Sequence, residues 1–264
     1  MNYNQLLCKI KTRLPFLFKP KYNEKELNQL VKNKFEELGL DYIQAKEFLN
    51  SYLNKQCKPA YNPQIDSIHQ LLLVALSLKI GAKGNIFEFG TYLGETTALC
   101  SELFKQGKVY TIDLPKDDPI LRTSYSREND KSFNTYSQVQ ENNMRKTNII
   151  SIKANTLFLP KYSNEIHQSF DLIWLDAGHN YPEIAWDFAF SLNLLKTDNA
   201  YLLIDDVIPI EKDYKTQYVS NHSWKLINYL KERSQVDVTL VLKREDPSKF
   251  DCLTTRKYVA VIKF

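Results

Sequence analysis

With 264 residues, 43% hydrophobic and 25% charged, the chain has an ordinary globular composition and enough length for one or two cores, which excludes a disordered or low-complexity protein. No apolar run approaches the ~18 residues a membrane helix requires, and the stretch 14–18 is too short and too closely flanked by charge for a secretory leader. The net charge of +4 is uneven: residues 1–60 carry 11 Lys/Arg against 6 Asp/Glu, leaving the remainder at −1.

In chain order, residues 1–60 show helical spacing in Leu27, Leu30, Val31, Phe35 and Leu38, then in Tyr42, Ala45, Leu49 and Tyr52. They predict an N-terminal helical extension, broken near Pro20 and Gly39, that serves as a lid or as an oligomer contact in a homodimer. Its basic surplus suits weak contact with an anionic membrane surface, although a solvated helical face is the simpler reading. Pro59 and Pro63 bracket a connection. A strongly apolar helix follows at about 65–78, with Ile68, Leu71, Leu72, Ala75 and Leu78 set to pack on a sheet.

From Gly84 onward short apolar runs at 86–89, 109–112, 149–152, 172–175 and 201–204 alternate with helical stretches at 95–106, 132–145, 181–195 and 222–233. Continuous apolar strands between helices predict a parallel sheet covered on both faces. Two late runs, 236–242 and 258–262, have no helix between them and predict an antiparallel hairpin. The fold expected for 61–264 is therefore α/β: a Rossmann-like, seven-stranded, mostly parallel sheet with a C-terminal hairpin. Residues 114–131 are polar and turn-rich, an excursion over the site. Cys8, Cys57, Cys100 and Cys252 lack metal or disulfide spacing. Unpaired cysteines fit a reducing, cytoplasmic setting.

The run at 86–89 carries one acid, Glu88, and breaks into the turn Gly90-Thr91-Tyr92-Leu93-Gly94 before a helix opens at Glu95. A strand, a glycine turn and a helix N-terminus make a site for a small polar ligand. Ligands of an open parallel sheet bind beyond the carboxyl ends of the strands. There this chain places Asp113, Asn155, Asp176-Ala177-Gly178-His179-Asn180-Tyr181 and Asp205-Asp206. A carboxylate after the second strand suits the vicinal hydroxyls of a ribose. The spacing G-x-x-x-G departs from the dinucleotide fingerprint, and Glu88 would meet a pyrophosphate with like charge. S-adenosylmethionine, a cation with an amino acid tail, meets no such objection.

The segment Glu88-Phe-Gly90-Thr-Tyr92-Leu-Gly94-Glu-Thr96 resembles the E-x-G-x-Y-x-G-x-S motif of the catechol and caffeoyl-CoA type O-methyltransferases, a metal-dependent branch of the class I S-adenosylmethionine methyltransferases. The later stretch DLIWLDAGHNYPEIAWDF, followed by LLKTDNAYLLIDDV, resembles bacterial relatives that methylate sugars and other small natural products, and the likeness spans about 62–264. The resemblance implies that Glu88 holds the amino end of the methionine moiety, with Gly90, Thr91, Tyr92 and Gly94 forming the turn around it. Thr96 stands where the family binds the carboxylate with a serine, and Asp113 takes the ribose. Asn155 replaces an adenine-contacting acid. It also implies that Asp176, Asp205 and Asp206 hold Mg²⁺ or a similar ion, with Asp176 shared between cofactor and chemistry.

His179 lies three residues after Asp176, where related enzymes place a lysine base, and a neutral imidazole can take a hydroxyl proton near neutral pH. His69, His167 and His222 lack such neighbours in the sequence. Tyr181 and the loop 207–220, with Tyr214 and Tyr218, face the acceptor, whereas Trp186 and Phe188 read as core. The function expected is metal-assisted methyl transfer to a hydroxyl of a small sugar, polyol or catechol-like acceptor, with no nucleic acid partner. The alternatives are a nucleic-acid methyltransferase, against which the absence of an N/D-P-P-Y stretch argues, and a non-catalytic S-adenosylmethionine-binding scaffold.

Overall fold

The computed structural model describes residues 23–124, 127–162, 166, 169–216, 219–233, 236–245 and 256–264. The break expected near Pro20, along with Cys8, Cys252, His167 and Tyr218, lies outside them.

Seven strands form one sheet in the order β3-β2-β1-β4-β5-β7-β6. β1 (Ile86–Phe89), β2 (Val109–Asp113), β3 (Ile149–Lys153), β4 (Leu172–Leu175) and β5 (Tyr201–Val207) run parallel, while β7 (Tyr258–Lys263) is antiparallel to β5 and to β6 (Asp237–Leu242). This is the Rossmann-like architecture with a C-terminal hairpin that the alternating runs predict. β1, β4 and β5 are buried along their whole length. That explains their uninterrupted apolar sequences, because both faces of a central parallel strand are covered.

Successive side chains on a strand point to opposite faces, and two cores result. On one face Ile86, Leu172, Trp174, Tyr201 and Leu203 pack with α3 (His69–Ile80) and α4 (Glu95–Leu103). On the other, Phe87, Phe89, Ile173, Leu175 and Leu202 pack with α7 (Glu183–Leu194) and α8 (His222–Arg233). Two helices from the N-terminal extension, α1 (Glu24–Glu37) and α2 (Tyr42–Lys55), join the first core through Val31, Phe35, Tyr42, Ala45 and Leu49. Asn23 and Asp41 cap them, each side chain accepting backbone N–H groups of the first turn. Trp186 is 42% exposed, against the expectation of core, because Ile184, Asp187, Phe188 and Ser191 form the inward face of α7.

The excursion at 114–131 contains α5 (Pro119–Thr123) and leads into α6 (Asp130–Asn143). Leu121, Phe133 and Tyr136 form a third, small cluster over the carboxyl end of β2.

Candidate active site

The glycine turn between β1 and α4 owes its shape to close backbone packing. Gly90 has φ +93°, and a Cβ there would lie 2.3 Å from the Asp176 carbonyl oxygen. No side chain fits where β1 and β4 end against each other. Gly94, at φ +74°, is the N-cap of α4, and no side chain caps that helix. Its first-turn N–H groups therefore remain donors for an anionic group. Tyr92 takes φ +46° and is 51% exposed, and its carbonyl accepts from Gln140 Nε2 at 2.6 Å.

Glu88 lies buried behind the turn, within electrostatic reach of Asp176 and Asp113. Flanked by Phe87 and Phe89 on the opposite face, it points beneath α4, is 2% exposed, and accepts from the hydroxyls of Thr97 and of Thr111, the latter at 2.8 Å. Thr91 joins the same network through Thr111 at 2.7 Å. Burial pushes Glu88 up to about 8, although both threonine hydroxyls oppose the rise. Its place at the end of β1 is fixed by this hydrogen-bond network. The threonine network escapes a linear reading because Glu88 meets Thr111 only through the β1–β2 register.

The remaining expected cofactor residues border the turn. Asp113 ends β2, half-buried, accepting from Gln140 Nε2 at 3.1 Å and from the backbone N–H of Leu114 at 2.9 Å. Burial raises its pKa, opposed chiefly by Lys153. Thr96 sits in the first turn of α4, its hydroxyl 3.3 Å from His69 Nε2. His69 in turn stacks on Trp174 with ring centroids 5.0 Å apart, and burial lowers its pKa to about 4, so it is neutral. Asn155 caps the short 3₁₀ turn after β3, its side-chain oxygen accepting from Leu157 N–H at 2.9 Å. Partly exposed carboxylates and an uncapped helix N-terminus around one turn match the ribose and amino acid ends of S-adenosylmethionine, so the residues present fit that cofactor.

On the acceptor side, Asp176 follows β4 and His179 Nε2 lies 3.4 Å from its Oδ1. His179 is 9% exposed and its Nδ1 has no hydrogen-bond partner. Its carbonyl accepts from Ser220 Oγ at 2.6 Å, which fixes the loop. Burial alone would lower the imidazole pKa, but the hydrogen bond and charge of Asp176, with Asp206 and Asp205, carry it above its ordinary value. Asp176 is pushed up to about 7, by burial first and then by Asp205. Its side chain is 35% exposed, so water screens part of that rise.

The wall beyond is held by Asn221, which is fully buried and donates to the carbonyls of Ile210 at 2.8 Å and Lys212 at 3.2 Å. Its oxygen accepts from Tyr214 N–H at 3.2 Å. His222 Nδ1 accepts from Tyr181 N–H at 3.0 Å, and the two rings lie 4.4 Å apart. Asn221 and His222 thus shape the loops after β5 and β4, although nothing in their sequence neighbourhood marks them.

Asp205 and Asp206 are adjacent in β5 and would ordinarily face opposite ways. The pairing with β7 shifts register between Ile204 and Val207, and Asp206 adopts φ +51°. This bulge turns both carboxylates to one point. Lys243 Nζ occupies it, 2.5 Å from Asp205 Oδ2 and 2.5 Å from Asp206 Oδ1. Lys257 Nζ takes the other oxygen of Asp206 at 2.9 Å. Burial would raise Asp206, but Lys243, His179 and Lys257 hold it well below the carboxylate range. Among the described residues no group of three or more His, Cys, Asp or Glu is arranged to hold a metal ion. The residues expected to bind Mg²⁺ therefore do not fit it as they stand, since an ammonium fills the place where two of the three acids converge. Neither lysine is marked by its sequence neighbourhood: each stands at the rim of the hairpin, which returns to the edge where β5 ends.

Residues 87–207, just under half of the chain, match the family model described as a methyltransferase domain. The match opens in β1 and closes with β5, so it contains the glycine turn, Asp113, Asp176, His179 and Asp205-Asp206. Together with the sheet order it supports an S-adenosylmethionine-dependent methyltransferase of Rossmann-like fold. Similar solved structures include a candidate caffeoyl-CoA O-methyltransferase from Staphylococcus aureus, at 16% identity, 88% of this chain, 99% of that one and TM-score 0.48. Another is an rRNA methylase from Streptococcus thermophilus, at 13% identity, 76% and 98% coverage and TM-score 0.47. The fibrillarin/Nop5p complex is a third, at 17% identity, 73% and 81% coverage and TM-score 0.45. Likeness at this level decides neither acceptor nor mechanism. No curated protein matches the chain.

Proposed function

We propose that this chain transfers a methyl group from S-adenosylmethionine to a hydroxyl of a small molecule held beyond β4 and β5. The observation that carries the reading is the Asp176–His179 pair beside the glycine turn, with the second imidazole nitrogen unpartnered. S-adenosylmethionine supplies an electrophilic methyl on a sulfonium when bound. Asp113 accepts the ribose hydroxyls, Thr96 and the first turn of α4 receive the carboxylate, and Asp176 lies towards the reacting end.

Asp176 holds the Nε2–H of His179 and orients the ring, which leaves the buried Nδ1 unpartnered; a turn of the ring would open it to the incoming hydroxyl whose proton it takes. Asp176 also stabilises the imidazolium that results. Asn221 and His222 keep the loop after β5 against the cleft, which excludes water and aligns the acceptor oxygen for in-line attack. Residues 23–60 we assign to a flanking role beside the domain at 61–264, with α1 and α2 packed on one side of it.

Methyl transfer from labelled S-adenosylmethionine to a panel of sugars, polyols and catechols tests the reading, with His179→Ala as the control. Turnover that depends on His179 supports it. Turnover on RNA alone, wild-type rates in His179→Ala, or cofactor binding without turnover on any class of acceptor would each overturn it.

A further inference from the structure

We infer that Lys243 is the resident cation of this site, standing where a divalent ion would be expected, and that the acid cluster therefore binds no metal in the wild-type protein. A lysine ammonium bridges Asp205 and Asp206 at the convergence point that a β5 bulge creates.

The geometry leaves little freedom. An ion ligated by Asp205 and Asp206 together would need oxygens about 2.0–2.6 Å away, and Nζ is already 2.5 Å from one oxygen of each. The other Asp206 oxygen belongs to Lys257. Lys243 is itself 6% exposed, so it has no solvated position into which it could swing while the site stays closed. Backbone pairing fixes it further, because its N–H donates to the Lys257 carbonyl at 3.0 Å and its own carbonyl accepts from Ile68 at 2.9 Å.

Charge counting agrees. Asp176, Asp205 and Asp206 face Lys243, Lys257 and His179, so three acids meet three basic groups, two of them permanent cations. Adding two positive charges would leave an excess that nothing in the cluster answers. Lys243 is a positioning residue in this scheme: it holds the two carboxylates at fixed spacing beside Asp176 and His179. The inference concerns the cluster alone and stands whatever the acceptor is.

Mn²⁺ is the probe, with free ion followed by electron paramagnetic resonance after the full-length protein has been stripped with EDTA. Wild type is expected to take up no stoichiometric Mn²⁺ in the range up to about 1 mM, the weak end for protein cation sites. Lys243→Ala should gain one site per chain, at least tenfold tighter, that competes with Mg²⁺ and disappears in Lys243→Ala/Asp205→Asn. A merely structural lysine would not produce that gain. One Mn²⁺ per wild-type chain, lost in Asp205→Asn, would overturn the inference, as would a folded Lys243→Ala protein that binds no better than wild type. If Lys243→Ala fails to fold, Lys243→Met keeps the volume, and the wild-type measurement decides independently.

Discussion

Replacing Glu88 by Gln separates two roles that one acid could play. In the structure its carboxyl lies beneath α4 with two threonine hydroxyls donating to it, and burial lifts its pKa from 4.5 to about 8. A folded-state pKa above the unfolded one means full stability below about pH 4.5 and progressive loss as pH rises towards 8. At 1.36 kcal/mol per pH unit the loss reaches a ceiling of about 5 kcal/mol. The amide keeps an acceptor for both threonines and cannot ionise, so Glu88→Gln should escape that loss. Urea unfolding of both proteins at pH 5, 6.5 and 8 measures it. The stability difference should move towards the variant by about 2 kcal/mol or more over that range. A difference independent of pH would refute the reasoning. The same pair of proteins should bind S-adenosylmethionine within about threefold, whereas losing a direct charged hydrogen bond would cost about tenfold or more.

His179→Ala should lower the methyl-transfer rate by about 10²–10⁴-fold with cofactor affinity nearly unchanged, read by single-turnover kinetics and calorimetry. Because the His179 pKa is raised, the wild-type rate should climb as pH rises through a value above the ordinary 6.5, and the variant should lose that step. Gly90→Ala places a Cβ 2.3 Å from the Asp176 carbonyl and should cost more than about 4 kcal/mol or abolish folding. Gly81→Ala, at φ +92° and ψ 163° with no atom within 4 Å, should cost about 1–3 kcal/mol of backbone strain alone in the same thermal unfolding assay. Asn221→Ala removes three buried hydrogen bonds and should cost about 3 kcal/mol while raising the acceptor KM more than it lowers kcat.

The strands were legible because β1, β4 and β5 are covered on both sides and write themselves as short apolar runs. Their ends were less so: pairing continues through Asp113, and β5 runs on to Val207 past the bulge at Asp205-Asp206, where polar side chains interrupt the apolar signal. The helix expected from residue 65 begins at His69, because Asn62 and Asp66 fold the preceding residues into a turn through side-chain bonds to the backbone. Within the site, Asp113, Asp176 and His179 were visible as strand-end chemistry. Glu88 was visible as the one acid in the β1 run, while its threonine partner across the sheet follows only from the register of β1 with β2. Lys243 was invisible for a different reason, since it reaches Asp205 across 38 residues through the return of the hairpin.

That hairpin also bears on how the protein matures. A chain made from its N-terminus lays down Asp176, Asp205 and Asp206 well before Lys243 and Lys257 emerge, and until they do the three acids have only His179 among the cluster's basic groups to face. Addition of β6 and β7 to the sheet therefore brings the charges into balance beside the β5 bulge. A C-terminally clipped chain would keep its glycine turn and lose both lysines from the acid cluster.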